Sequence, residues 1–483
     1  MSAGVNGRAG GLLLVGAVLL AAAAVGWQGA ADARIYLLLA GGVSGVALLL
    51  LAYRWPEQAL ACTFLVILVA STKFRERSAD AALSGEADSQ VAFELALYAV
   101  VGAVVAAAAL ARWRLMSPAV SLEWLLVGYV LWAVMSIAWS SSAQLSVARA
   151  VQLAIVTALA GTAIRILGPA RTLRSVGGAL MVYVLVCAAA AVALPNYTET
   201  FSTAGIGRFR WFEMHPIACA ILTALAALSI AAEAMYDGTW RRRKLGVPLW
   251  LCFALLVGVL VMTRSRGPIV AFMLGMGALV AQRRLQAWML PGLASVAVLL
   301  VLSFLSTGES VRQLLREGAD SENPLVEYVY RGQGEAQLAA VGGRTRLWEH
   351  IGPMVAGRPV TGYGYQAARA VLIRSTPWAG HAHNAVAQSL LDTGVVGTLL
   401  LWGALLGALR AAIRQRERGG AAERFPRAAA AGLLVFFILL SLTEASFSGP
   451  PSIQAAMVLV CISAAARWRR EPARVRVNAV ATA

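Results

Sequence analysis

Along its 483 residues the chain alternates long apolar runs with short polar breaks. The runs are about 17–22 residues long, the length an α-helix needs to cross a hydrocarbon core of ~30 Å at ~1.5 Å per residue. They fall near 11–28, 35–53, 57–72, 91–111, 121–139, 148–165, 175–194, 216–235, 247–263, 267–282, 288–306, 385–409, 428–444 and 451–467. This pattern predicts an all-α polytopic membrane protein with about fourteen transmembrane helices. One break is different in kind, because 307–384 stays polar for nearly eighty residues before the next run begins. The chain therefore divides into helices 1 to 11 (1–306), a large loop (307–384), helices 12 to 14 (385–470) and a short tail (471–483). The first run is longer than the ~7–15 residue core of a signal peptide and reads as an anchor.

Charge fixes the direction in which the helices run. The sequence carries a formal charge of +17, which in a soluble chain would point to nucleic acid, but it is 59% hydrophobic and only 13% charged. Its basic clusters, among them Arg165 to Arg174, Arg241 to Lys244, Arg283-Arg284 and Arg410 to Arg427, fall on alternate sides of the apolar runs. That is the positive-inside pattern, so both termini are expected in the cytoplasm, the large loop outside, and no nucleic acid as partner. All five cysteines lie within apolar runs without C-x-x-C spacing, so neither a disulfide framework nor a thiolate metal site is expected.

Against that trend the outer side keeps several arginines, including Arg208, Arg210, Arg264, Arg266 and Arg344. An arginine at the outer end of a span needs an anionic partner, and a guanidinium binds phosphate bidentately without a metal. The competing reading is snorkelling to lipid headgroups or pairing with Glu213, Glu444 and Asp392. The chain has four histidines, and two of them, His381 and His383, stand where the large loop re-enters the bilayer. His383 precedes a helix predicted to start near Asn384, and a neutral imidazole at the positive end of a macrodipole suits a general base, although it could equally cap the helix. Gly394 and Gly397 leave room for a neighbouring helix. Within the loop, Thr345 to Val355 places Leu347, Trp348, Ile351 and Met354 on one helical face. Tyr363 and Tyr365, in a G-Y-G-Y turn, could stack on a sugar ring or pack the loop down. No metal site is expected: Glu86 and Asp88 are the nearest acidic pair and read as part of a solvated loop.

Four stretches resemble one family in order. These are Arg208-Phe209-Arg210 to His215-Pro216, Ser265-Arg266-Gly267, Gly343-Arg344 to Trp348 with Gly362-Tyr363-Gly364-Tyr365, and His383-Asn384 followed by Gly394 and Gly397. Together they are similar to the O-antigen ligase and O-antigen or exopolysaccharide polymerase superfamily over roughly 200–450. Trp211 and Ile217 depart from its pattern, where glycine and asparagine are common, and Arg208 and Arg210 compete for the motif arginine. The resemblance implies a membrane glycosyltransferase of GT-C-like architecture in a bacterial inner membrane, active on the periplasmic face. Its donor would be a glycan on undecaprenyl pyrophosphate, transferred with inversion, without metal or other cofactor, to an acceptor hydroxyl. It implies His383 as base, Arg210 and Arg266 with Arg208 and Arg344 on the pyrophosphate, and Asn384, Tyr363 and Tyr365 in support. Its acceptor would be a lipid-linked glycan for a polymerase, which the span count favours, or lipid A core for a ligase. A chain-length regulator and membrane lipids are the remaining candidate partners. A flippase or other transporter is the reading from a different class, although no internal symmetry supports it.

Overall fold

The computed structural model describes residues 52, 54–74, 89–193, 201–203, 206–236, 246–284, 344–376, 380–414 and 421–468. Among these, helices α1 (Pro56–Ala70), α2 (Ser89–Ala111), α3 (Ser121–Met135), α4 (Ala143–Leu167) and α5 (Pro169–Ala193) come first. A hairpin of β1 (Phe201–Thr203) and β2 (Ile206–Arg208) precedes α6 (Pro216–Tyr236), α7 (Gly246–Met262) and α8 (Arg266–Arg284). The loop region holds α9 (Arg344–Gly357) and α10 (Ala368–Ser375), and the chain continues through α11 (Ala385–Arg414), α12 (Ala421–Leu440) and α13 (Ile453–Trp468). The fold is thus mostly helical, with one addition to the all-α expectation. The antiparallel hairpin pairs Phe201 with Arg208 and Thr203 with Ile206.

Six described helices are long and apolar enough to cross a membrane: Ser89–Ala111, Ser121–Trp139, Ala143–Leu167, Pro169–Ala193, Pro216–Tyr236 and Ala385–Arg414. Shorter apolar helices stand at Pro56–Ala70, Leu249–Met262, Arg266–Gln282 and Ile453–Trp468. The runs expected at 11–28, 35–53 (Ala52 apart) and 288–306, together with 307–343 of the loop and the acidic pair Glu86 and Asp88, lie outside the described residues.

Local sequence sets the helix ends. Helices α1, α5 and α6 open on Pro56, Pro169 and Pro216, where a missing N–H costs nothing. Helix α4 stops at Gly168, whose φ of 78° an L side chain rarely adopts. Helices α6, α12 and α13 are rich in alanine and form the buried centre. Small residues let the helices approach: a Cβ on Gly432 of α12 would lie 2.7 Å from Leu279 of α8, and one on Gly177 of α5 would lie 2.6 Å from Ser229 of α6. At one end of the bundle, ion pairs join Arg165 to Glu123 (2.9 Å), Arg171 to Glu57 (3.0 Å) and Arg174 to Glu233 (3.4 Å).

Helix α9 uses the face its spacing implied. Leu347 and Ile351 are buried against Ala368, Leu372, Ala382 and Leu391, with Trp348 and Met354 beside them. The expectation for α11 needs correction, because Gly394 interrupts it with φ 64° and ψ −168°. A Cβ there would lie 2.1 Å from the Val360 carbonyl oxygen, so Gly394 makes room for loop backbone rather than for a helix. Val395 N donates to Pro359 O (2.8 Å) and Tyr363 N to Leu391 O (2.7 Å), which clamps the base of the loop onto the break. Gly397 does face a helix, since its Cβ would come within 3.1 Å of Trp132 on α3.

Candidate active site

The site grows from the turn between α10 and α11. Asn384 caps α11, its Oδ1 accepting from Val386 N and Ala387 N at 2.9 Å each, while Ala385 N donates to Ser441 O (2.8 Å). The Asn384 oxygen expected to support the histidine or the sugar is thus engaged by helix amides, while its Nδ2 donates to Leu442 O (3.4 Å). His383, just before the cap, has φ 49°, a left-handed conformation that a non-glycine residue keeps only when its surroundings hold it. They do so through Trp348 Nε1, which donates to Ala382 O (3.0 Å), and through His381 Nδ1, which accepts from His383 N (3.2 Å). The two imidazoles lie against one another, tilted by 44° with centroids 4.0 Å apart.

Glu444, four residues past α12, faces this turn. Its Oε2 lies 3.4 Å from His383 Nδ1, and its Oε1 accepts from Arg344 NH2 at 2.5 Å. Burial alone would raise the Glu444 carboxyl, but His383 and the Arg344 guanidinium outweigh it and hold the group below the usual carboxylate range. The contact is an ion-pair approach and not a formed hydrogen bond, and a carboxylate so placed favours the tautomer with the proton on Nδ1 and Nε2 as the basic nitrogen.

The other motifs come to the same place. Gly267 of the S-R-G turn abuts Thr443, next to Glu444, with room for no Cβ beyond 2.9 Å. Arg266 and Arg344 lie near enough to repel one another. The hairpin delivers buried Arg208 onto the S-R-G turn, where it donates to Thr263 O (3.2 Å) and Ser265 Oγ (2.8 Å). His215 Nδ1 accepts from Ile217 N (3.2 Å), which leaves its Nε2–H as a donor. That ring is open to solvent on one side yet closely surrounded. Burial, then the charge of Arg208, pulls its pKa down to about 4. His381 is pushed down to about 3 by burial and then by His383.

Three of the chain's four histidines thus meet here with Glu444 and several cations, whereas His350 is exposed and bonds Arg346 O. His383, Arg208, Arg266 and Arg344 are brought together. Arg210 is buried 3.3 Å from Glu213, an ion pair that the competing reading of the outer arginines anticipated, as it did Arg344 with Glu444. Tyr365 is buried, edge-on to Tyr129, as the packing alternative has it. Tyr363 is half-buried, donates from its hydroxyl to Met354 O (3.2 Å) and carries Arg358 over its ring, so it too packs the loop.

Sequence reasoning treated Glu444 only as a partner for arginine and gave His215 no role, although a carboxylate in so short a turn and the scarcity of histidine were both available signals. His381, His383 and Glu444 offer ligand atoms within 4.8 Å of one another, a spacing that could hold a metal ion. The guanidinium on Glu444 and the neighbouring cations make the surroundings better suited to an anion.

Fold and site together define a helical membrane protein with a histidine–carboxylate pair set among arginines, a combination fit for proton abstraction beside an anionic group. A family described as O-antigen ligase matches residues 251–402, from α7 through the S-R-G turn and the His383 turn into α11. Over this segment the chain is therefore similar to the O-antigen ligase and polymerase superfamily, which supports a glycosyl-transfer function of that general kind. No curated protein matches the chain.

Proposed function

We propose that this protein is an inner-membrane glycosyltransferase that moves a glycan from undecaprenyl pyrophosphate to an acceptor hydroxyl at the periplasmic face. The observation that carries the reading is the line from Arg344 through Glu444 to His383, with Arg266 and Arg208 alongside. His383 Nε2 takes the hydroxyl proton while the acceptor oxygen attacks the anomeric carbon from the side opposite the leaving group. The bond from that carbon to the pyrophosphate oxygen breaks, its electron pair leaves with the pyrophosphate, and the configuration inverts. Glu444 stabilises the imidazolium that forms. Arg266 and Arg344 meet the charge gathering on the leaving group, and no metal is needed for that task. Arg208, which braces the S-R-G turn, fits the role of motif arginine better than Arg210, which rests on Glu213.

The acceptor we favour is a second lipid-linked glycan, which makes the protein a polymerase. The alternative is lipid A core, which makes it a ligase. Purified protein in EDTA with a lipid-linked repeat unit alone separates them: a ladder of products supports polymerase, and transfer only after lipid A core is added supports ligase. Absence of transfer in both arms would overturn the enzymatic reading and leave the transporter.

A further inference from the structure

The turn that carries His383 is held from beneath by side chains the proposed chemistry does not use. Gln388, one turn into α11, donates from Nε2 to Asp392 Oδ2 (2.7 Å) and accepts at Oε1 from Ala382 N (2.8 Å). Ala382 is the residue between the two histidines. Asp392 also accepts at Oδ1 from Ala368 N (3.2 Å) and at Oδ2 from Gln366 Nε2 (3.3 Å), and that same nitrogen donates to Ser448 O (2.7 Å). Asp392, Gln388 and Gln366 are all buried. One carboxylate therefore ties together the base of the loop, the histidine turn and the segment that follows Glu444.

Burying a carboxylate is costly, and an apolar residue would be easier to place. What the carboxylate supplies is direction. Both its oxygens accept here, which sets the way each glutamine amide faces and turns the Gln388 oxygen, not its nitrogen, toward Ala382 N. The strained His383 backbone begins at the next residue.

We propose that Asp392 is a positioning residue for glycosyl transfer which, acting through Gln388, sets the His381–His383 turn against Glu444. The inference rests on the reading of His383 as the base.

The test reverses the polarity of the pair. Asp392→Asn swaps one acceptor oxygen for an NH2. Turned one way it meets the NH2 of Gln388, which must turn over and abandon Ala382 N, and turned the other way it meets Ala368 N. The tie between the base of the loop and the histidine turn is broken in either orientation. With undecaprenyl-pyrophosphate-linked glycan isolated from cells lacking the protein, kcat is expected to fall about 10²-fold while donor KM stays within about twofold. Adding Gln388→Glu to Asp392→Asn restores the chain: the new carboxylate accepts from Ala382 N with one oxygen and from the new amide with the other, and turnover should recover to within about fivefold of wild type. Wild-type kcat in Asp392→Asn, a loss confined to KM, or a double variant that stays inactive whether or not it folds would each overturn the proposal. His383→Ala in the same assay keeps the two ideas apart. If it is active, the base assignment fails; if it is inactive while Asp392→Asn is normal, only the positioning role fails.

Discussion

At the scale of single residues, the site depends on what touches each titratable group. Glu444→Gln keeps an acceptor for Arg344 but removes the charge opposite His383 Nδ1, so kcat should fall about 10²–10⁴-fold with little change in donor affinity. Steady-state kinetics in detergent would show it, and a Gln variant with normal kcat would remove Glu444 from the mechanism. Arg266→Lys keeps the charge but loses the planar fork, so donor affinity and turnover should both drop about tenfold or more, while Arg264→Lys should be nearly silent. His381 gives a pH signature. Its pKa in the fold is about 3 against an ordinary 6.5, so the unfolded chain binds the proton first as pH falls. The stability it contributes is complete above about 6.5 and is lost as pH drops toward 3. Melting temperatures across that window should decline more steeply for wild type than for His381→Asn, and parallel curves would show that this ring does not carry the effect.

At the scale of elements, what could be read from the sequence was whatever repeats. The 3.6-residue period in Thr345 to Val355 gave the buried face of α9, and the apolar run after Asn384 gave the start of α11. The break at Gly394 was hidden, because a glycine spaced three residues from another reads equally as helix contact or as a positive φ. Only the carbonyl of Val360 pressed against it decides between them. Substitution at this point should act through the loop: Gly394→Ala combines an unfavourable φ with a backbone clash and should destabilise by more than ~1 kcal/mol. Gly397→Ala also clashes, meeting Thr393 at its Cβ (2.4 Å) and an indole edge, but it carries no positive φ and meets no backbone atom, and should cost less. Thermal unfolding of the two variants would check the order, which equal losses would contradict. Tyr363 and Tyr365 stay open in the sequence for a related reason, since aromatic residues in a turn look the same whether they face a ligand or a neighbouring helix.

For the whole molecule, the four motifs could be recognised one at a time, but their meeting point could not, because it depends on helix packing over long separations. Helices α8 and α12 pack closely through Gly432, so Arg266 at the start of one stands near Glu444 just beyond the end of the other. The Glu444 pair was invisible for that reason, since some sixty residues of chain divide it from His383. The architecture holds His383 and the arginines in register, the two groups that the proposed reaction needs together as base and anion clamp. The most direct measurement of that claim is the single-turnover rate of His383→Ala with saturating lipid-linked donor and chelator present. The account expects donor binding to persist and the rate to fall about 10²–10⁴-fold. A variant that binds donor and transfers it at the wild-type rate would contradict it.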